Sequence, residues 1–216
     1  VNMAVAGSSC TSVSCGDTCK YNENEYETIK IGNQCWFAEN LRTSKTPGGN
    51  PLTLGSDYYC YSGDSNCTNK NGDKDSCGAI YGAFYPYLVA MNGESYEGEA
   101  VQGLCPDGWL MDVPITSGPE DEWLSVASGG CGSGNGFNLP LAGYRNTSPN
   151  ISMSRNSKGM LWSGDFNLSP FHILGNSNQN KLPVFIEYDG SGNVSSSDFD
   201  GNEGVSIRCV SSTPAE

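Results

Sequence analysis

Residues 29–41 read IKIGNQCWFAENL. In this stretch Ile29 and Ile31 alternate with polar residues, which is typical of a strand with one buried face. The next two residues, Gly32-Asn33, place glycine at the first central position of a turn, as a type II′ turn requires. A cysteine and two aromatic residues follow shortly after the turn. The stretch therefore predicts a β-hairpin over residues 26–37.

Two further blocks combine a cysteine with a turn former and with aromatic or β-branched residues. They are CPDGW at residues 105–109 and GVSIRCV at residues 204–210. Burying one tryptophan ring stabilises a fold by roughly 2–3 kcal/mol. We therefore expect Trp36, Trp109 and Trp123 in the core rather than in a platform that stacks on carbohydrate. Trp162 is also expected in the core, but its neighbours Gly164-Asp165 look exposed, so an exposed binding contact remains the alternative for this residue.

Two short helices are predicted near the middle of the chain. The first covers residues 81–91, where Pro86 suits the opening turn and Asn92-Gly93 ends the helix. The second starts at a capping-box sequence, SGPE at residues 117–120, and ends at Gly129-Gly130. Strand-like runs flank both helices, so this order of elements predicts an α+β fold rather than a doubly wound sheet.

The totals of the 216-residue chain fit one domain and restrict its partners. The formal net charge is −13, with 11 lysines and arginines against 24 acids. Such a surface repels phosphate backbones, so we expect no nucleic-acid partner and no anionic membrane partner. No stretch approaches about 18 consecutive apolar residues, so no membrane insertion is expected. The start at Val1, with neither an initiator methionine nor a signal sequence, suggests a mature form.

Ten cysteines make a disulfide framework the main expectation for this chain. In a reducing cytosol such a set more often binds metal. Zinc, however, commonly needs C-x₂₋₄-C twice over, whereas the closest groups here are Cys15/Cys19 and Cys10/Cys15, and the sole histidine is His172. The expected compartment is therefore oxidising, which means extracellular or cell-surface. The cysteines expected in bridges are Cys10, Cys15, Cys19, Cys35, Cys60, Cys67, Cys77, Cys105, Cys131 and Cys209.

The connectivity of these cysteines is not determined by the sequence, because ten of them allow many pairings. We expect three groups of bridges. Cysteines of the sequence blocks should share bridges in the core, those of the central loop should bridge locally, and the N-terminal ones should bond one another or Cys131. The core group is Cys35, Cys105 and Cys209, and the loop group is Cys60, Cys67 and Cys77.

The N-terminal segment consists of small, polar and cysteine residues without helical periodicity. It is therefore predicted to be an extended arm, residues 1–20, which its cysteines fasten to the rest of the chain. The body of the domain covers residues 21–212. A short tail covers residues 213–216.

The blocks IGNQCWFAENL, VQGLCPDGW, EDEW, LAGYR, LWSG and GVSIRCV occur in this order. Their order resembles the Fibrobacter succinogenes major paralogous domain, a family of secreted domains, over residues 24–212. The resemblance implies a C-type-lectin-like fold, in which two short helices flank twisted antiparallel strands with long loops. It also implies surface display and binding, without a characterised reaction. Residues 1–20 and the residues that follow Trp109 depart from the family pattern.

Acidic and amide residues alternate in two loops, one from Asp64 to Asp75 and the other from Asp189 to Glu203, and they make calcium the ion that the sequence favours. Ca²⁺ takes six to eight oxygen ligands, which such a loop supplies. A loop that is merely solvated has the same pattern, and the register is not that of an EF-hand. No other cofactor is expected. The predicted calcium ligands are Asp64, Asn69, Asn71, Asp73 and Asp75.

Five Asn-X-Ser/Thr sequons stand in segments that are predicted to be exposed loops, where glycosylation is compatible with the sequence. A chain this rich in asparagine and serine also produces such sequons by chance. The acceptor residues are Asn66, Asn146, Asn150, Asn167 and Asn193.

We predict no catalytic residues and expect the protein not to be an enzyme. A serine or cysteine nucleophile requires a base, and His172 stands in an apolar context typical of packing; paired carboxylates remain an open alternative. The polar segment 144–203 is the predicted recognition surface, since Asn, Ser, Gly, Asp and Tyr form adaptable contacts. Its expected contact residues are Tyr144, Arg145, Trp162, Asp165, Asn167, His172 and Tyr188.

Two functions are consistent with these expectations. The first is a secreted, cell-surface binding or adhesion module whose long polar loops bind a surface glycan or a protein ligand. The second is a structural subunit of an extracellular filament or surface layer, in which the arm of residues 1–20 joins neighbouring copies of the chain. The resemblance favours the first.

Overall fold

A computed structural model provides the fold. The described residues are 9–60, 64–68, 81–94, 101–111, 140, 142–146, 152–153, 159–163, 184–188, 194–198 and 202–213. After a 3₁₀ turn at Ser9–Ser12 they form strands and one helical turn. The elements in chain order are β1 Thr18–Tyr21, β2 Asn24–Ile31, β3 Gln34–Phe37, β4 Tyr85–Pro86, α1 Tyr87–Ala90, β5 Trp109–Leu110, β6 Tyr144–Arg145, β7 Ser152–Met153, β8 Gly159–Ser163, β9 Val184–Tyr188, β10 Val194–Asp198, β11 Gly204–Val205 and β12 Val210–Ser211.

The strands pair antiparallel in three sheets. The first sheet has the order β1-β2-β3-β12-β5, the second β4-β11-β6-β7 and the third β10-β9-β8. Strands β11 and β12 both come from the GVSIRCV block and its next residue, yet they lie in different sheets. The C-terminal block therefore connects the first sheet to the second.

The prediction of an α+β, C-type-lectin-like fold with two helices is wrong. The first predicted helix, residues 81–91, is reduced to the single turn Tyr87–Ala90, and the described residues contain no other α-helix. Just before this turn Gly82 has a φ of +73°, and Tyr85-Pro86 pair with β11. Pairing with a distant strand therefore overrides the local helix signal. The second predicted helix lies outside the described residues. Among the residues that the structure describes, no helix is long and apolar enough to cross a membrane.

The predicted hairpin is confirmed. Strands β2 and β3 pair from Thr28 opposite Phe37 to Ile31 opposite Gln34, so two residues form the turn. Gly32 has a φ of +59°, whereas Asn33 is not among the residues of positive φ. This is the conformation of a type II′ turn.

A second hairpin, which the sequence analysis did not predict, precedes the first. Strands β1 and β2 pair across Asn22-Glu23, whose φ values of +46° and +71° fit a type I′ turn. The Asn22 side chain donates to Thr43 Oγ1 at 2.9 Å and to the Lys45 carbonyl at 3.0 Å, which fastens the turn to the following loop. The predicted boundary between arm and body, at residue 20, falls inside β1.

The first sheet curves into a half-barrel whose two edges approach each other. Trp109 in edge strand β5 donates its indole N–H to the Cys10 carbonyl at 2.9 Å, beside the opposite edge. On edge strand β1, the Lys20 backbone N–H binds Ser9 Oγ at 2.8 Å. An edge whose donors are bonded within the chain is protected against pairing with a strand of another chain.

Aromatic residues from three strands form the core of the half-barrel. Tyr26 stacks on Phe37 with ring centroids 4.7 Å apart, and Phe37 contacts Trp109 at 4.6 Å. These three rings and that of Trp36 are buried. The core prediction is therefore confirmed for Trp36 and Trp109, while Trp123 lies outside the described residues.

Four disulfides cross-link the part of the chain that the structure describes. They are Cys10–Cys19, Cys15–Cys35, Cys60–Cys67 and Cys105–Cys209. The local loop bridge, the bridge between N-terminal cysteines and the core bridge agree with the prediction. Cys35, however, bonds Cys15 instead of sharing a core bridge, because the residues before β1 pack alongside the hairpin. Cys77 and Cys131 lie outside the described residues.

Alkaline pH is expected to unfold the protein through its buried tyrosines. Burial raises the pKa of Tyr26 to about 12, and it raises the pKa of Tyr21 and of Tyr85 well above the ordinary value. Above a pH of about 10 the unfolded chain loses these protons while the folded protein keeps them. Stability is therefore complete below that pH and falls as the pH rises toward the folded pKa values.

The measurement is a pH titration followed by tyrosinate absorbance and far-ultraviolet circular dichroism. We expect ionisation of the buried tyrosines and loss of β structure to share one midpoint above a pH of about 10. Ionisation of all 11 tyrosines near their ordinary pKa with unchanged circular dichroism would contradict this prediction.

Candidate binding surface

The described part of the predicted recognition segment lies on the second sheet. Arg145 in β6 pairs with Gly204 on one side and with Ser152 on the other. Successive residues of a strand point to opposite faces of a sheet. Accordingly, Tyr144 packs against the main core, whereas Arg145 lies over Tyr59, beside a smaller apolar cluster. The two predicted contacts therefore do not share one surface.

Tyr59 is held in place by its backbone and by its hydroxyl. Its N–H and its carbonyl both bond Phe84 at 2.9 Å, and its hydroxyl donates to the Ser56 carbonyl at 3.1 Å. The half-buried ring packs against the smaller apolar cluster, which is formed by Tyr81, Phe84 and Ala142. Arg145 covers this ring.

The guanidinium of Arg145 lies with its Cζ 3.2 Å from the centroid of the Tyr59 ring. We call this contact the Arg145–Tyr59 pair. A flat guanidinium fits at this distance when it is nearly parallel to the ring, so its N–H groups point sideways from the stack. Arg145 is half-buried, and within the described residues its guanidinium has neither a carboxylate partner nor a hydrogen-bond acceptor. These unused donors make the pair a candidate contact for an external ligand.

Gly204 determines how closely β6 approaches Phe84. A Cβ at this position would lie 3.0 Å from the Cβ of Phe84 and 3.4 Å from the Cβ of Arg145. A larger residue would therefore displace β6 or Phe84, and Phe84 is the backbone partner of Tyr59. The glycine of the GVSIRCV block thus supports the geometry of the Arg145–Tyr59 pair.

Trp162 is not a surface contact, and that part of the prediction is wrong. It is 1% exposed, its indole N–H donates to the Tyr85 carbonyl at 2.6 Å, and its ring meets Tyr87 edge-on at 5.4 Å. Its strand is bonded to the C-terminal block through the Trp162 N–H and the Ser206 carbonyl, which directs the ring into the core. Asp165, Asn167 and His172 lie outside the described residues, and of Tyr188 the structure describes the backbone in β9.

Tyr59 was not predicted as a contact residue, because no local pattern in the sequence marks it. Its neighbours are the buried Tyr58 and the disulfide-bonded Cys60, so its surroundings in the sequence indicate packing. Tyr59 reaches Arg145 because its loop pairs with Phe84 and because β11 carries β6 to the same place. A contact that depends on two distant pairings leaves no signal in one sequence.

The calcium and glycosylation predictions stay predictions. The carboxylate of the half-buried Asp64 accepts the Asn66 N–H at 2.9 Å, so one of its oxygens closes a local turn. The described residues contain no group of three or more His, Cys, Asp or Glu side chains that could hold a metal. Asn66 is exposed and Asn146 is half-buried. The remaining candidates, Asn69, Asn71, Asp73, Asp75, Asn150, Asn167 and Asn193, lie outside the described residues.

Arg208, in contrast to Arg145, belongs to the core. It is 1% exposed and donates from Nε and Nη2 to Asn40 Oδ1, at 3.1 and 2.8 Å, and from Nη1 to the Ala38 carbonyl at 3.1 Å. Burial lowers its pKa to about 9, and the carboxylate of Glu39 opposes this shift. The guanidinium therefore stays charged at neutral pH and connects the first sequence block to the last.

These features define a disulfide-cross-linked antiparallel β domain whose core is built by the cysteine-containing blocks. Residues 29–114 match the family described as Fibrobacter succinogenes major domain, and this part of the chain belongs to that family. The match begins within β2, includes the turn at Gly32-Asn33, strand β3 and Tyr59, and ends before Arg145, so it is shorter than the resemblance over residues 24–212. No curated protein and no solved structure matches the chain.

Proposed function

We propose that the protein is a secreted, cell-surface binding or adhesion module that contacts a glycan or a protein ligand at the surface around the Arg145–Tyr59 pair. The observation that carries the proposal is the stacked, half-buried guanidinium of Arg145, which finds no acceptor among the described residues. The proposed role is binding, without a catalytic step.

The scaffold supports such a role in two ways. Disulfides persist in oxidising environments such as the cell exterior, and four of them cross-link the described residues. Arg145 lies in a strand that is paired on both sides, and a contact on a rigid element loses little conformational freedom on binding.

Arg145→Gln is expected to weaken ligand binding about tenfold, because a hydrogen bond to a charged group contributes roughly 1.5 kcal/mol or more. The full chain would be screened against surface glycans and extracellular proteins by biolayer interferometry, and each ligand found would be titrated. Lys20→Gln is the matched control, since Lys20 is exposed on the first sheet and pairs with Glu25 at 3.1 Å. Binding to no member of the panel, or equal losses in both variants, would contradict the proposal.

The second candidate is a structural subunit of an extracellular filament or surface layer. The observation in its favour is that edge strand β1 is covered by the short turn Ser9–Ser12, so displacement of this turn would open an edge for strand addition. Within residues 9–21, Thr18–Tyr21 form strand β1 of the chain's own sheet, and the preceding residues are fastened by the Cys10–Cys19 and Cys15–Cys35 bridges. An arm that reaches a neighbour would therefore consist of residues 1–8.

Sedimentation velocity separates the two candidates. Under the filament proposal the full chain forms polymers that resist dilution, and deletion of residues 1–8 leaves a folded monomer. A full chain that stays monomeric at every concentration contradicts the filament proposal, and polymers that persist after the deletion contradict the role of the arm.

A further inference from the structure

We infer that the chemical group bound at the Arg145–Tyr59 pair is the carboxylate of an acidic polysaccharide built from uronic acids. This inference rests on the proposed binding function and specifies its ligand class. It is carried by the charge distribution, by the geometry of the stacked guanidinium and by the weakness of a single ionic contact at a surface.

The positive charge of Arg145 is available to an external anion, because the other described cations interact with groups of the protein itself. Of the five other described cations, three are neutralised by ion pairs within the protein, Lys30 also has an interaction within the chain, and Arg208 is buried and bonded to Asn40 and Ala38. Arg145 has no carboxylate partner in the part of the chain that the structure describes. The ion pairs are Lys20–Glu25, Arg42–Glu39 and Lys45–Glu23.

The geometry of the pair favours a carboxylate. Stacking on Tyr59 fixes the plane of the guanidinium and directs its N–H fork away from the ring. Two parallel N–H groups in such a fork match the two oxygens of a planar carboxylate, which gives a bidentate, charge-assisted contact. Because the ring already holds the side chain in place, little rotamer entropy is lost when the anion binds.

The net charge of the chain disfavours polyanions of high charge density. At −13 the protein repels them at long range, and nucleic acids carry one charge for every phosphate. A polyuronate carries one carboxylate for each sugar, and its hydroxyl groups offer further hydrogen bonds to the surface. Duplex DNA carries one charge for about every 1.7 Å of its axis, so a polyuronate, with one charge for each sugar of a single chain, has the lower linear charge density and is repelled less. It keeps the group that Arg145 recognises.

A single surface ion pair contributes roughly 0–1 kcal/mol, so one Arg145–carboxylate contact is weak by itself. A polymer that repeats the same carboxylate along its chain compensates for this weakness. When one carboxylate dissociates from Arg145, its neighbours remain close and can rebind, and several protein copies displayed together can hold one polymer, so the effective concentration of carboxylate at each site is high. A protein ligand, whose carboxylates are irregularly spaced, lacks this advantage. The observations therefore favour the acidic polysaccharide over an acidic protein.

The test uses the full chain immobilised at high density and three polyuronates as probes, namely polygalacturonate, alginate and polyglucuronate. The fully methyl-esterified form of polygalacturonate is the matched control probe, because it keeps the sugar backbone and loses the charge. We expect binding to at least one polyuronate and at least an approximately tenfold loss on methyl esterification and in Arg145→Gln, because the small loss at each contact is multiplied over the several contacts that one polymer makes. Arg145→Lys should lose most of this binding as well, since lysine lacks the planar fork.

Tyr59 supplies an independent pair of variants. Tyr59→Leu removes the aromatic face and should weaken polyuronate binding, whereas Tyr59→Phe keeps the face and loses the hydroxyl bond to Ser56, so binding should be retained. Circular dichroism and the thermal midpoint of each variant verify that the fold is intact. Lys20→Gln again serves as the charge control on another face.

The outcomes separate the ligand class from the proposed function. If the chain binds none of the three polyuronates, or binds the methyl ester equally well, the inference is wrong even when another ligand of the panel is bound. If it binds an acidic protein through Arg145 and no polyuronate, the site is correct and the ligand class is wrong. If it binds no ligand of any class, the proposed binding function is wrong as well.

Discussion

Replacing Cys105 and Cys209 together by alanine is expected to lower the free energy of unfolding by about 4–5 kcal/mol. The bridge joins residues that are 104 positions apart. In the chain-entropy model, closing a loop of about 100 residues destabilises the unfolded chain by about 4.7 kcal/mol. Typical domains unfold at a cost of about 5–15 kcal/mol, so the double variant should be marginally stable. Urea denaturation followed by circular dichroism measures the loss.

The matched control is the double variant Cys60→Ala, Cys67→Ala. This bridge spans 7 positions. The same entropy relation then predicts a loss of about 2.4 kcal/mol, half of that expected for the long bridge. Equal losses in the two double variants would show that local packing outweighs loop closure and would contradict the argument. The Cys105–Cys209 bridge also closes the loop that contains Arg145. If removal of this bridge loosens strand β6, we expect ligand binding at the Arg145–Tyr59 pair to weaken as well.

Replacing the buried Arg208 by methionine is expected to lower the free energy of unfolding by about 3 kcal/mol. Methionine keeps much of the apolar volume, but Asn40 Oδ1 and the Ala38 carbonyl lose their donors. A buried acceptor without a partner costs about 1–3 kcal/mol, and two acceptors are affected. Because the contact joins the first and the last sequence block, its loss should destabilise the whole domain. Urea denaturation of the two proteins provides the comparison.

A double-mutant cycle with Asn40→Ala isolates the contact. Residues in one hydrogen-bond network show interaction energies of about 0.5–3 kcal/mol. The sum of the losses in unfolding free energy of the two single variants should therefore exceed the loss in the double variant. Lys20→Gln, on the exposed face, should change stability by at most about 0.5 kcal/mol. Strictly additive losses for Arg208 and Asn40 would mean that the two side chains stabilise the fold independently.

Features that depend on a few neighbouring residues could be predicted from the sequence. The hairpin at Gly32-Asn33 follows from alternation and a glycine at the required position, and the burial of Trp36 follows from the size of its ring. The prediction of a helix over residues 81–91 was wrong because Tyr85-Pro86 form a strand that pairs with β11, far along the chain. The type I′ turn at Asn22-Glu23 was missed because neither residue is the glycine that usually marks such a turn.

The candidate site shows the same limit. Arg145 and Tyr144 were both predicted as contact residues because their segment is polar, but the alternation of strand β6 turns Tyr144 toward the core and places only Arg145 over Tyr59. The choice of Tyr59 as the stacking partner depends on the pairing of its loop with Phe84. Trp162 looked exposed because Gly164-Asp165 follow it, yet its indole bonds the Tyr85 carbonyl inside the core.

The sequence by itself determined the oxidised, β-rich character of this protein, the first hairpin and the aromatic residues of its core. These properties follow from composition and from spacings of a few residues, which act before any distant contact forms. The tertiary structure alone decided that Cys35 bonds Cys15, that Arg208 is buried against Asn40 and that Arg145 lies over Tyr59. Each of these contacts joins segments whose register is set by strand pairing across the fold, and one linear sequence does not encode that register in any local pattern.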